Sequence, residues 1–159
     1  GRVIQTIDEG FLWISDSSLI STSADGDTSW PKYFEDIHWV QQTNDEGYII
    51  RTNSGNLIKT NKNGNIEWEN NITRIRDIIQ THEGGYMIIR TWPDNSHLIK
   101  LDNQGNMEWG KVYCDEFGDK STFKKVIQIN ENEYFIVATN KKDILLIKTD
   151  SEGNTSRLN

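Results

Sequence analysis

Apolar residues along this chain gather in short runs, such as "VIQ" at 3–5, "YII" at 48–50, "YMII" at 86–89 and "YFIV" at 134–137, separated by Gly, Asn and Asp. Val, Ile, Tyr and Thr dominate these runs, and no segment sustains a helical period. The pattern therefore predicts strands joined by tight turns.

The runs repeat. "LIKLDNQGNMEW" at 98–109 is nearly duplicated by "LIKTNKNGNIEW" at 57–68, and weaker copies begin at Leu19 and Leu146, so successive copies are 38, 41 and 48 residues apart. The turn glycine recurs as Gly26, Gly64, Gly105 and Gly153, and Trp30, Trp68 and Trp109 close three copies. Arg157 stands where the fourth Trp would be. Upstream of each dodecamer lies a second motif, marked by Gln5, Gln42, Gln80 and Gln128 and then by Phe11, Tyr48, Tyr86 and Tyr134. Both motifs belong to one unit. In the third copy its strands are predicted at Asp77–Thr81, Tyr86–Thr91, His97–Leu101 and Met107–Tyr113. Four strands in about 40 residues are the size of one propeller blade, which must stack on its copies to bury its faces.

The paired motifs, L-I-K-x-D-x-x-G-N-x-x-W alternating with Q-T-x-[DE]-G-G-Y-I-I, resemble the β-propeller repeats of secreted or surface-attached bacterial proteins, related in style to quinoprotein-dehydrogenase-like propellers. The resemblance implies an all-β propeller and an extracellular or cell-surface setting. It says little about activity, because function does not follow from fold. On this reading residues 1–159 form a single propeller domain with repeats at about 1–35, 36–73, 74–120 and 121–159. A closed four-bladed ring is the first expectation. Paired half-rings, as a homodimer completing a larger propeller, and a piece of a longer array are the alternatives.

Composition narrows the chemistry. Net charge is −7 and the 17 basic residues are dispersed, which argues against nucleic acid as a partner. There is no run of 18 apolar residues to span a membrane and no signal peptide within this sequence. Cys114 is the single cysteine, so an intrachain disulfide and a cysteine-based zinc framework are excluded. The Asn- and Asp-rich turns at 61–65 and 102–106 lack the spaced acidic set of a calcium loop, and tight-turn backbone explains them. His38 falls in the second repeat and His82 and His97 in separate parts of the third, and none belongs to a metal motif. No metal or cofactor is expected. The recurring Gln and Trp are read as parts every blade needs, bonding and packing between neighbours.

Candidate function moves to the loops that do not repeat. The connection after strand two and the crossover between blades emerge on one face, and all the irregular length lies there. Candidate ligand-binding residues are Tyr33, His38 and Trp39, then Trp92, Asp94, Asn95 and His97, then Tyr113, Asp115 and Phe117. Aromatic rings beside carboxylates and amides suit a protein, peptide or glycan ligand. The favoured reading is a non-enzymatic interaction module. An extracellular carbohydrate hydrolase or lyase, using carboxylates such as Asp36, Asp94, Asp115 or Glu116, is the alternative, as is a structural segment that self-associates.

Overall fold

A computed structural model describes residues 1–92, 95–113, 121–141 and 143–157. Among the described residues sixteen strands form four antiparallel sheets, each with its strands in sequence order. Blade 1 contains β1 (Arg2–Gln5), β2 (Phe11–Ile14), β3 (Ser18–Thr22) and β4 (Thr28–Tyr33). Blade 2 contains β5 (Ile37–Gln42), β6 (Tyr48–Thr52), β7 (Asn56–Thr60) and β8 (Ile66–Asn71). Blade 3 contains β9 (Ile75–Gln80), β10 (Tyr86–Thr91), β11 (Ser96–Leu101) and β12 (Met107–Tyr113). Blade 4 contains β13 (Thr122–Asn130), β14 (Glu133–Thr139), β15 (Ile144–Asp150) and β16 (Thr155–Arg157). Strands two and four of blade 3 match their sequence positions, while β9 runs Ile75–Gln80 instead of 77–81 and β11 starts one residue early at Ser96; Ile75 is buried and lies opposite Arg90 across a bulge.

The chain divides into two compact units, Gly1–Thr73 and Arg74–Asn159, each holding two blades. In the first unit Leu12, Ile14 and Leu19 of blade 1 pack with Val40, Tyr48, Ile50 and Ile58 of blade 2. In the second, Met87, Ile89 and Leu98 of blade 3 pack with Val126, Tyr134, Ile136 and Ile147 of blade 4. The same alternate positions are used twice, because side chains one apart on a strand leave opposite faces of the sheet.

The repeated Trp and Gln complete both interfaces. Trp30 donates through Nε1 to the Lys62 carbonyl at 3.0 Å, and Lys32 Nζ donates to Asn65 Oδ1 at 2.8 Å. In the second unit Trp109 donates to the Ser151 carbonyl at 3.1 Å and Lys111 to Asn154 Oδ1 at 2.7 Å. Each Trp lies against the turn glycine of the next blade, Gly64 or Gly153, whose φ values are 71° and 76°. The Gln reach the other way: Gln42 Oε1 accepts from the Ile7 N–H and Gln128 Oε1 from the His82 N–H, both at 2.8 Å. Blade 4 departs from this scheme. Blades 1 to 3 have a register shift between strands three and four, whereas β15 and β16 pair without one and Arg157 lies opposite Ile147.

The Asn and Asp of the turns are engaged locally. Asp102 Oδ1 accepts the Gln104 and Asn106 N–H groups, and Asn61 Oδ1 accepts those of Asn63 and Asn65. The Asn106 side chain, followed by these backbone donors, holds the Asp102 carboxyl below its ordinary pKa.

Lys59 is the most deeply buried charge among the described residues, with its side chain 3% exposed and its ammonium 2.8 Å from both Asp45 and Glu67. Burial works against the Asp45 carboxylate, but hydrogen bonds from Lys59, Thr43 and Gly47 outweigh it and hold its pKa below the ordinary value. A depressed folded-state pKa stabilises the fold above the unfolded value near 4, and that contribution is lost as pH falls further. Asp45 is itself half exposed, so solvent screening limits the effect to about 0.5–1 kcal/mol. Urea titrations at pH 7 and pH 3 check this: Asp45→Asn should reduce stability at pH 7 and narrow the gap between the two conditions.

Candidate functional site

Strand one of blades 2, 3 and 4 carries a β-bulge near its start, centred on His38, Arg76 and Lys124. A bulge bends its strand and re-aims a side chain. In blades 2 and 3 the strand is preceded by a residue with positive φ, Asp36 at 59° and Arg74 at 60°. Its carbonyl accepts a hydrogen bond where strand two gives way to its following loop, from Asn53 N at 2.9 Å and from Thr91 N at 3.4 Å. The crossover and that loop are thereby tied together at one end of each blade.

What the tie displays differs between the two. In blade 2, Asn53 Nδ2 donates to Asp36 Oδ1 at 2.7 Å, closing a polar contact of two short side chains. In blade 3 the Arg74 guanidinium lies over the Trp92 ring, 3.7 Å from its centroid. Arg74 covers part of an indole that stays 45% exposed. Such a cation–π contact is worth about 0.5–1 kcal/mol at an exposed position and orients both groups. The Trp92 N–H donates to the Asn95 carbonyl at 2.9 Å, and His97 Nε2 donates to the Trp92 carbonyl at 2.8 Å. Beside this platform Arg74, Ile75, Arg76 and Thr91 line a surface cavity, and the buried Thr91 hydroxyl has no hydrogen-bond partner among the described residues. Two exposed guanidinium groups beside a half-exposed indole offer the donors and the flat face that an anion with an apolar or planar portion requires.

The residues expected from sequence sort unevenly around it. Trp92, Asn95 and His97 are brought together, with Asn95 and His97 fixing the Trp92 backbone. Asp94, Asp115 and Phe117 lie outside the described residues, as do Cys114 and Glu116. Tyr113 is buried: it packs on Phe123 with ring centroids 5.1 Å apart and donates its hydroxyl proton to the Gly153 carbonyl. In the first unit Tyr33 is exposed at the end of β4, His38 is exposed at its bulge and Trp39 is half-buried. Arg74 and Arg76 escape a reading of the sequence. Their signal is nonetheless present, since three of the six arginines fall at 74, 76 and 90 in an acidic chain. Among the described residues no three His, Cys, Asp or Glu side chains gather as metal ligands, and no helix is long and apolar enough to cross a membrane.

No family model and no curated protein matches the chain. Solved structures do. BamB from Moraxella catarrhalis aligns with a TM-score of 0.70 at 15% identity, over 97% of this chain and 46% of that one. The dihydro-heme d1 dehydrogenase NirN, in complex with DHE, aligns at 0.71 with 12% identity, over 95% and 35%. The Neurospora crassa Pan2 WD40 domain aligns at 0.64 with 10% identity, over 99% and 50%. At such identities the likeness concerns fold alone: the four sheets are β-propeller blades. The chain spans half or less of each of these structures.

Proposed function

We propose that residues 1–159 act as a non-enzymatic interaction module whose blade 3 end binds an acidic peptide segment of a protein partner. The observation that supports this most is the Arg74–Trp92 stack beside Arg76. A peptide carboxylate would accept from Arg76 while a neighbouring side chain covers the free indole surface. An extracellular or cell-surface setting belongs to the proposal through the resemblance of the repeats. Similar folds host both WD40 domains and a dehydrogenase, so the fold does not choose between binding and catalysis. The enzyme alternative rests on carboxylates of which only Asp36 is described, and its side chain is bonded to Asn53.

Titration of the chain with a panel of acidic peptides and uronate-containing oligosaccharides, followed by indole fluorescence, tests the reading. Acidic peptides are expected to bind, weakening as salt rises. Arg76→Glu and Trp92→Ala should each reduce affinity at least tenfold, with stability changed by less than about 1 kcal/mol. Peptide binding indifferent to both substitutions, or binding of the oligosaccharides alone, would refute the acidic-peptide assignment.

A further inference from the structure

Lys124 of blade 4 holds the place that Arg76 holds in blade 3. Each is the extra residue of a bulge near the start of strand one, between Phe123 and Lys125 in β13 and between Ile75 and Asp77 in β9. Both side chains are exposed, and neither has an ion pair or a side-chain hydrogen bond among the described residues. The backbone on either side of Lys124 is nonetheless fastened to blade 3. The Phe123 N–H donates to Oγ of the fully buried Ser96 at 2.9 Å. Beyond Lys124, the Val126 N–H donates to Asp77 Oδ2 at 2.9 Å and Lys125 Nζ to Asp77 Oδ1 at 2.7 Å. The Asp77 side chain is only 10% exposed, and β13 occupies both of its oxygens. A carboxylate therefore lies next to Arg76 in the chain and pairs with neither Arg76 nor Lys124. Charge-assisted bonds of this kind hold one bulge at a fixed place beside the other. In the first unit the equivalent bulge carries His38, with Asp36 two residues before it, and β1 pairs with β2 without a bulge. The bulged pair of cations is particular to blades 3 and 4.

We propose that Arg76 and Lys124 bind two carboxylates of one extended segment, so that the partner is recognised by acidic residues two positions apart. This rests on reading the blade 3 end as an acidic-peptide site and carries that site across the seam to blade 4. Packed sheets lie about 10 Å apart, and in an extended chain the side chains two positions apart leave the same side about 7 Å from one another. The long, flexible stems of Arg and Lys close the remaining gap. Arg76 takes the first carboxylate beside the Trp92 platform and Lys124 takes the second, while the residue between them points the other way and is free to vary. Charge favours this occupant. The chain as a whole carries a net charge of −7 and repels acidic segments, so two unpaired cations side by side select where such a segment settles.

Fluorescence anisotropy of three labelled decapeptides, identical except for their glutamates, titrated with the 159-residue chain tests the proposal. The first peptide has two glutamates separated by one residue. In the second the later glutamate is replaced by glutamine, and in the third the same two glutamates stand six residues apart. The close pair is expected to bind about three- to fivefold more tightly than either of the others, the gain of one further solvent-exposed ion pair. Lys124→Gln should remove that gain and leave the affinity of the single-glutamate peptide unchanged. Lys62→Gln makes the same change of net charge at an exposed turn of the first unit and should leave all three affinities as they were. Equal affinities for the close and wide pairs, a gain that survives Lys124→Gln, or a loss shared by all three peptides would overturn the bridged pair and leave the blade 3 site standing. Absence of binding by every peptide would overturn both.

Discussion

Gly85→Ala is expected to destabilise the second unit by about 3 kcal/mol or more, although it adds only a single methyl group. A Cβ at this position would lie 2.4 Å from the Leu101 carbonyl oxygen, a distance at which backbone must move. That carbonyl belongs to β11, whose Leu101 is paired with Tyr86, one of the largest fully buried side chains. The chain can relieve the clash only by parting β10 from β11. Gly10 and Gly47 occupy the same place in blades 1 and 2, with added Cβ atoms 2.2 and 2.1 Å from the carbonyls of Thr22 and Thr60. The informative comparison is Gly26→Ala. Gly26 has φ of 88° but open space around it, so alanine there meets only backbone strain, about 1–2 kcal/mol. Urea denaturation followed by far-ultraviolet circular dichroism separates these cases, and equal losses at Gly85 and Gly26 would show that the close approach is not what requires glycine.

The second large effect is expected at Trp109. Its indole lies against Gly153, its Nε1 donates to the Ser151 carbonyl, and the adjacent Tyr113 hydroxyl also bonds the Gly153 turn. Trp109→Ala removes the packing between blades 3 and 4 as well as the hydrogen bond, at a cost of about 3–5 kcal/mol. The lower end is the better expectation, because the residue is only partly buried. Trp109→Phe keeps most of the apolar contact and loses the N–H donor, costing about 1 kcal/mol. A ligand-binding role for the repeated Trp predicts the opposite ranking of observables: stability nearly intact and affinity lost. Denaturation midpoints for the two variants distinguish these outcomes. Trp92 supplies the contrast within the same blade, since its ring is 45% exposed and stacks with Arg74, and its removal should leave the midpoint close to that of the parent.

These two sites show why some of the architecture is legible in the sequence. A residue present in every copy performs a task common to every copy, and the seam between blades is such a task. Gln42, Gln128, Trp30 and Trp109 all serve it. The strands are legible for a related reason: β10 and β12 have the limits their apolar runs predict, because runs and turn residues act locally. The candidate site is legible only in part. Trp92, Asn95 and His97 stand out because the loop after β10 does not follow the repeat. Arg74 and Arg76 do not, because they lie about twenty residues earlier, at the end of a crossover and the start of β9, in a stretch that resembles ordinary solvated chain. Tyr113 is misleading for the converse reason, since an aromatic beside an irregular segment looks the same in sequence whether it faces solvent or core.

The amino-acid sequence by itself determined the period, the four-stranded unit, the tight turns and the residues of the blade seam. All of these depend on contacts within a unit of about 40 residues or on a relation repeated between neighbours. Tertiary structure alone decided which loops meet. The Thr91 N–H reaches the Arg74 carbonyl, and this draws Trp92 under a guanidinium eighteen residues away. It also decided which apolar residues are covered. Trp13 and Ile50 occupy equivalent positions, yet Trp13 is half exposed while Ile50, packed with Leu12 and Leu19 of blade 1, is fully buried. Burial is a property of the neighbour as much as of the residue, and the neighbour is not written at that position in the chain.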